Sequence, residues 1–146
     1  MAETVLNTHV TWFEGLGLVA VGEGSHGTMV LDTTAEAGGS GTGITPMEAL
    51  LGALGGCMSM DVISILRKKR QRVTGFRVNL QGQRAEEHPR RYTHIAMEFV
   101  VRGFSVAPEA VARSIELSHA KYCSVAASLN AEIETSYRVV EEGAEE

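Results

Sequence analysis

Residues 45–66 read TPMEALLGALGGCMSMDVISIL, and this stretch predicts the central helix of the fold. Thr45 is suited to the N-cap, Pro46 to the first helical position, and Glu48, three residues after the cap, completes a capping box. Apolar residues then recur at spacings of three to four, which indicates one buried face. The pattern predicts a long helix that reaches about Arg70.

This helix contains Cys57, the first of the two cysteines in the chain, and small residues surround it. Gly52, Gly55 and Gly56 each cost about 1 kcal/mol relative to Ala inside a helix, so we expect another part of the protein to approach closely. The same glycines leave the approach to Cys57 unfilled by large side chains, which favours an accessible thiol. Asp61 lies four residues further on the same face and opposes ionisation of that thiol unless a cation neutralises it.

The rest of the chain reads as strands and shorter helices around this segment. We expect the order βββ-α-ββ-α-β, which is typical of an α+β fold with a mainly antiparallel sheet. One domain over residues 1–146 is expected, with a disordered acidic tail at 141–146. The predicted strands cover residues 4–13, 17–22, 28–33, 75–84, 92–102 and 133–139, a polar, flexible loop covers 34–43, a second helix starts at Pro108, and a short helical piece covers 124–129.

Composition excludes several classes of protein. With 146 residues, 44% of them hydrophobic, the chain is long enough for one domain with a real core. All 13 Lys and Arg residues lie at or after Arg67, although the net charge is -5. The run RKKRQR at residues 67–72 resembles a nucleic-acid patch, but a pI near 5.5 opposes phosphate binding. We interpret these cations as the last turn of the helix, where they favour its dipole, and expect no nucleic-acid partner.

We expect a soluble, cytoplasmic protein without a membrane partner. The sequence suggests no apolar run close to the roughly 20 residues that a membrane helix needs, and MAETVLNTHV lacks the pattern of a signal peptide. Two cysteines are too few for a disulfide-stapled scaffold or a four-cysteine zinc site. The five histidines show no ligand spacing, so neither a metal nor another cofactor is expected.

The two cysteines are either a redox pair or two unrelated buried thiols. If Cys57 and Cys123 meet, a sulfenic acid formed on one condenses with the other to a disulfide, which is the chemistry of a two-cysteine peroxidase. A free thiol has a pKa of about 8.5, so a nearby cation must favour the thiolate. Arg90, Arg91 and Lys121 are the nearest candidates.

Two motifs point to a known family. TPMEALLGALGGCMSMDVISIL (residues 45–66) together with SHAKYCSVAASL (residues 118–129) resembles the OsmC/Ohr family, particularly its YhfA-like branch. The likeness extends from WFEGL near Trp12 through EEHPRRYTHI at 86–95 into the last strand. It implies an intertwined homodimer in which the sheets wrap around central cysteine-bearing helices, with two active sites at the dimer interface.

The resemblance also implies an activity, the reduction of organic hydroperoxides. By this analogy Cys57 attacks the peroxide, Cys123 resolves the sulfenic acid as a disulfide, and a dithiol reductant of the dihydrolipoyl or thioredoxin type reopens it. The active family members are assisted by an arginine on an N-terminal strand and a glutamate directly after the helix-opening proline. This chain has no arginine before Arg67 and has Met47 after the proline. Glu48 is displaced by one position and is better explained by the capping box.

Several alternatives remain open at this point. Arg90 or Arg91 replaces the missing arginine across a dimer interface, or both are ordinary solvated turn residues. His119 carries protons or orients a ligand, or is a packed or surface residue. A dimer of the same fold that binds a small apolar ligand without turnover, or that acts as a redox sensor, is the alternative function. The aromatic residues that we expect in the core rather than in a pocket are Trp12, Phe13, Phe76, Phe99 and Phe104.

Overall fold

The structure of the protein is a computed structural model that describes residues 4–145. These residues form an α+β fold in the predicted order, with a 3₁₀ turn at Ala35–Ala37 and a π-helical turn at Ser118–Tyr122. The strands and helices are β1 (Thr8–Glu14), β2 (Gly17–Gly22), β3 (Thr28–Leu31), α1 (Pro46–Lys68), β4 (Arg72–Arg84), β5 (Tyr92–Phe104), α2 (Pro108–Leu117), α3 (Ser124–Ala127) and β6 (Glu132–Glu141).

The chain divides into two compact units, one up to Leu50 and one from Leu51 onward. A single domain over residues 1–146 stays a prediction. The first unit contains an antiparallel sheet in the order β1-β2-β3. Short turns join neighbouring strands, as the glycine-punctuated sequence predicts.

A buried carboxylate organises the loop that follows β3. Asp32 is 3% exposed and accepts hydrogen bonds from the hydroxyl and the backbone N–H of Thr42, from the N–H of Thr33 at 2.7 Å and from the N–H of Ser40. These donors, the Thr42 hydroxyl first, lower the pKa of Asp32 from 3.8 to about 2. The loop expected to be flexible is therefore folded around one side chain.

The first strand exposes its large apolar residues. All seven residues of β1 are exposed, including Trp12 at 66% and Phe13 at 47%. The expectation that these two aromatic residues, and Phe104 at 40% exposure, belong to the core was wrong for the isolated chain. Phe99 is fully buried and contacts Phe76 edge-on at 6.1 Å between ring centroids, which agrees with a core assignment. Alternating apolar residues predict a strand, but they do not show what covers it.

Helix α1 begins as the sequence predicts. The N–H of Thr45 donates to Oε1 of Glu48 at 3.0 Å, and the N–H of Glu48 donates to Oγ1 of Thr45 at 3.3 Å, which is a reciprocal capping box. The helix ends at Lys68, just short of the predicted Arg70, which has a left-handed φ of 56°. Arg67 and Lys68 occupy its last turn, where positive charge favours the helix dipole.

The expectation that no segment is long and apolar enough to cross a membrane was wrong, because α1 has the length and the apolar composition of such a segment. An 18-residue window within α1 has a mean hydropathy of 1.8. Core helices of soluble proteins have the same composition, so this alone is weak evidence for a membrane segment. Leu54, Met58 and Val62 of this helix are fully buried within the chain.

The second unit contains a sheet in the order β4-β5-β6. β4 and β5 form the predicted antiparallel hairpin, with Arg72 opposite Phe104 and Arg84 opposite Tyr92. β5 and β6 are parallel. One parallel pair is consistent with the expected sheet, which was to be mainly and not entirely antiparallel. The pairing is parallel because the chain returns through the helical crossover between the two strands. Phe99 and Val101 of β5 are fully buried in the core of this unit.

One helix glycine provides the close approach that the sequence suggests. A Cβ on Gly55 would lie 2.8 Å from Cδ1 of Leu80 and 3.4 Å from Cγ1 of Val78, so α1 lies directly against β4 at this point. A Cβ on Gly52 or Gly56 would meet no described atom within 4 Å. The expected contact is therefore present at Gly55, whereas the other two glycines face open space in the single chain.

The C-terminal segment makes backbone hydrogen bonds. Glu141 is the last residue of β6, the N–H of Glu142 donates to the Gly103 carbonyl at 2.8 Å, and the N–H of Ala144 donates to the Glu141 carbonyl at 3.0 Å. The predicted disordered tail covers residues 141–146, of which Glu146 lies outside the described residues.

Candidate dithiol site

The fold brings the two cysteines together. Cys57 lies in the middle of α1, and Cys123 follows the π-helical turn that ends the α2 segment. Both are free thiols whose side chains are hydrogen-bonding neighbours. Cys57 is half-buried, whereas Cys123 is 4% exposed. The more accessible thiol is therefore the one on the central helix.

The surroundings of Cys123 keep its thiol protonated. Cys123 is the N-cap residue of α3, and the N–H of Ala126 donates to its sulfur at 3.3 Å. Burial is the main cause that raises the pKa of Cys123 from 9.0 to about 11, and the Cys57 thiol acts in the same direction against the Ala126 hydrogen bond. At neutral pH this residue is a thiol and not a thiolate.

A hydrogen bond between α1 and the π-helical turn lies beside the thiols. The hydroxyl of Ser118 donates to Oδ2 of Asp61 at 2.7 Å, and Ser118 is fully buried. Sequence reasoning singled out Asp61 but missed Ser118. Its position five residues before Cys123, at the start of the second matching motif, was the available signal.

The other candidate site residues have partners of their own. The carboxyl of Glu48 accepts from the N–H of Thr45, and hydrogen bonds with the backbone and side chain of Thr45 lower its pKa. Nε of Arg90 donates to the Ala85 carbonyl at 3.4 Å, and a terminal nitrogen of Arg91 donates to the Tyr92 carbonyl at 2.9 Å. Both arginines thus hydrogen-bond to the backbone of their own hairpin rather than to a thiol.

Two further basic candidates lie on the π-helical turn itself. The ammonium of Lys121 lies 5.3 Å from the ring centroid of Tyr122, in a cation–π contact. His119 is exposed and lines a shallow groove with Thr135 and Tyr137 of β6. Within residues 4–145, no group of three or more His, Cys, Asp and Glu side chains is placed to hold a metal ion.

The fold is α+β, with one thiol on a long central helix in contact with a second thiol after the α2 segment. These features place the chain in the class of dithiol proteins. The family model described as OsmC-like protein matches residues 39–138. The chain therefore belongs to the OsmC-like family, as the sequence motifs predict. It is 44% identical over 138 residues to Protein YhfA of Escherichia coli K12, across 92% of this chain and 98% of that protein.

Solved structures show the same fold. A hypothetical protein from Aquifex aeolicus VF5 is 30% identical and superposes with a TM-score of 0.83, covering 96% of this chain and 99% of that one. An organic hydroperoxide resistance protein OsmC from Legionella pneumophila has a TM-score of 0.66 at 9% identity, over 96% of this chain and 99% of that one. At such low identity the second likeness concerns the fold alone.

Proposed function

We propose that this protein reduces organic hydroperoxides by a two-cysteine mechanism. The observation that best supports this proposal is the contact between the thiols of Cys57 and Cys123. Membership of the OsmC-like family supports a redox or peroxide-resistance role. The fold is also that of a protein from Legionella pneumophila described as an organic hydroperoxide resistance protein and predicted redox protein.

The proposed cycle has three balanced steps. The Cys57 thiolate attacks the outer peroxide oxygen, the O–O bond breaks, and the alkoxide leaves as an alcohol after taking a proton, which produces a sulfenic acid. Cys123 then loses its proton and attacks the Cys57 sulfur, which forms the disulfide and releases hydroxide, protonated to water. A dithiol reductant is oxidised to its own disulfide and restores both thiols.

The assignment of roles follows from exposure and protonation. Cys57 is half-buried, and the open space beside Gly56 leaves room for a substrate. Cys123 is 4% exposed with a pKa raised to about 11, so it is a poor first nucleophile. Its contact with Cys57 suits it to a resolving role, where the attack is intramolecular.

We propose that the active protein is a homodimer whose second copy covers apolar surface. Val10, Trp12 and Leu16 of the first unit are between 50% and 66% exposed, and Met60 on α1 is 74% exposed. Val10 and Trp12 are two residues apart on β1 and so share one face of the strand, and contiguous exposed apolar patches mark protein–protein interfaces. A dimeric mass by light scattering at micromolar concentration is expected, and a monomeric mass would contradict the proposal.

A partner subunit is also the proposed source of the activating cation. Arg90 and Arg91 lie in the turn between β4 and β5, at an end of the hairpin that is able to reach a second copy. The remaining supporting candidates are His119, Asp61 and Glu48, of which the two carboxylates cannot supply a cation and Glu48 is bound in the capping box. Alanine variants of the two arginines are expected to slow the peroxide step if either one stabilises the Cys57 thiolate. Unchanged rates in both variants would leave the activation to another group and remove them from the site.

Both thiols must be reduced for the cycle to start, which places the proposed activity in a reducing compartment such as the cytoplasm. A dithiol of the dihydrolipoyl or thioredoxin type supplies the electrons. Steady consumption of hydroperoxide with one of these reductants is the expected readout.

The test counts free thiols in the reduced protein before and after a small excess of cumene hydroperoxide or hydrogen peroxide. We expect rapid loss of both thiols with the organic peroxide. Cys57→Ser should abolish turnover, and Cys123→Ser should give one reaction and a sulfenic acid that dimedone traps. Unchanged steady-state turnover in Cys57→Ser would contradict the proposal.

Two observations favour a second candidate function. The carboxylate of Glu48 is committed to the capping box, and the chain has no arginine before Arg67. Both departures from the active family members fit a protein that binds a small apolar ligand or senses redox state without turnover. Thiols that survive cumene hydroperoxide would favour the ligand-binding alternative, whereas a disulfide that forms once without steady turnover would favour the sensor.

A further inference from the structure

The position of Cys123 depends on the five-residue turn that precedes it. The chain leaves α2 at Leu117 and passes through the π-helical turn Ser118–Tyr122. The N–H of Cys123 donates to the Ser118 carbonyl at 2.8 Å. A hydrogen bond therefore joins the first residue of the turn to Cys123, the residue that follows the turn. Because Ser118 is fully buried, the turn is fixed to the interior at its start.

The anchor of this turn is a side chain on the helix that carries Cys57. The hydroxyl of Ser118 donates to Oδ2 of Asp61 at 2.7 Å. Asp61 lies four residues, or about one helical turn, after Cys57, so the two side chains share a face of α1. One hydrogen bond therefore ties the start of the turn to the same helix face that Cys123 meets at its end.

We infer that Asp61 and Ser118 are positioning residues for disulfide formation between Cys57 and Cys123. A disulfide needs its two Cβ atoms about 3.5–4.5 Å apart and a narrow range of dihedral angles, so a turn that shifts loses the geometry. The hydrogen bond holds the turn in place while the Cys123 sulfur attacks the Cys57 sulfenic acid, forms the S–S bond and displaces hydroxide. Neither residue touches the peroxide.

This inference rests on the proposed function and predicts a specific kinetic signature. Ser118→Ala should leave the rate of sulfenic acid formation within about twofold of the wild type, and Asp61→Ala should not slow that step, because it removes a negative charge that opposes ionisation of Cys57. Disulfide formation should slow by about tenfold to a hundredfold, because small displacements of reacting groups have effects of that size. A general loss of structure would slow both steps, so the ratio of the two rates separates positioning from damage.

The chain offers a rescue variant and a matched control. Asp61→Asn keeps one oxygen that accepts from the Ser118 hydroxyl while it removes the charge, so it should retain the disulfide formation that Asp61→Ala loses. Ser114 is also fully buried, but its hydroxyl donates to the Ala110 carbonyl of its own helix at 2.7 Å. Ser114→Ala should therefore leave the disulfide step unchanged.

The experiment measures both steps in the full chain by quenched-flow mass spectrometry after cumene hydroperoxide. Dimedone-trapped sulfenic acid reports the first step, and the loss of two hydrogen atoms in mass reports the disulfide. A Ser118→Ala protein that forms the disulfide at the wild-type rate would overturn the inference. An equal slowing of both steps, or of Ser114→Ala and Ser118→Ala alike, would overturn it as well.

A second readout does not depend on peroxide. Oxidised glutathione converts the two thiols to a disulfide and releases two molecules of reduced glutathione, and the equilibrium gives the effective concentration of one thiol near the other. We expect this effective concentration to fall by about tenfold in Ser118→Ala and to stay near the wild-type value in Asp61→Asn. A wild type inert to peroxide with this pattern intact would reject the proposed function alone, and an unchanged value would reject the positioning role.

Discussion

Cδ1 of Leu80 lies 2.8 Å from the point where a Cβ on Gly55 would stand, so the central helix and β4 are in contact at a residue without a side chain. Val78 of the same strand lies 3.4 Å from that point. A Cβ at Gly55 requires the Leu80 side chain to shift, and a larger side chain would also crowd Val78. The glycine is therefore favoured by packing and not by backbone conformation.

A valine at this position tests the contact. Gly55→Val should lower the free energy of unfolding by about 1–3 kcal/mol, because added carbons force neighbouring side chains out of place. Gly52→Val is the matched control, since a Cβ there meets no described atom within 4 Å. Urea unfolding of the two variants and the wild type gives the comparison. Equal midpoints for Gly55→Val and Gly52→Val would contradict a packing cost at Gly55.

The capping box predicts a stability change without a change in thiol chemistry. Thr45→Ala should lower the free energy of unfolding by about 1 kcal/mol, because the side chain that accepts from the N–H of Glu48 is lost. Thr45→Ser keeps the acceptor and should retain most of the stability. Glu48→Gln preserves the reciprocal hydrogen bond and should consume cumene hydroperoxide at the wild-type rate. A large loss of rate in Glu48→Gln, with the fold intact, would instead give this carboxylate a role in the reaction.

Asp32 gives the protein a stability that depends on acid pH. Its pKa is lowered in the folded chain from 3.8 to about 2, chiefly by the hydroxyl of Thr42, so the folded state holds the carboxylate more strongly than the unfolded state does. This stabilisation is complete above about pH 4 and is lost as the pH falls through 2. Chemical unfolding at pH 5 and at pH 2.5 should show it decreasing in the wild type.

Asp32→Asn is the control for this pH dependence. The amide has one oxygen and cannot accept the same set of donors from Thr33, Ser40 and Thr42, so the variant should be less stable than the wild type at pH 5. The difference between the two proteins should shrink at pH 2.5. A difference that stays constant across this range would mean that the carboxylate charge contributes nothing to the loop.

Local signals in the sequence predicted the helices and strands. Contacts between residues distant in sequence determine how these elements pack and which side chains meet at the candidate site. The capping box of Thr45 and Glu48 and the β4–β5 hairpin depend on neighbouring residues and were predicted from them. The bond from Ser118 to Asp61 joins separate elements, so no local pattern contains it. The exposure of Trp12 was missed for a related reason, because a strand pattern shows that one face needs cover without showing what provides it.

The last prediction concerns the reactivity of the buried thiol. Because the pKa of Cys123 is raised to about 11, only about one molecule in a thousand carries its thiolate at pH 8. Iodoacetamide reacts with thiolates, so Cys123 in the Cys57→Ser variant should be alkylated at least about a hundredfold more slowly in the folded protein than in guanidinium chloride. The rate should rise about tenfold per pH unit between pH 7 and pH 9, since the thiolate fraction does so. Intact-mass measurements over time give both rates, with Cys123→Ser as the control that reports the more exposed Cys57. Folded Cys123 that reacts as fast as the unfolded chain would contradict the buried, protonated thiol and remove the basis for its resolving role.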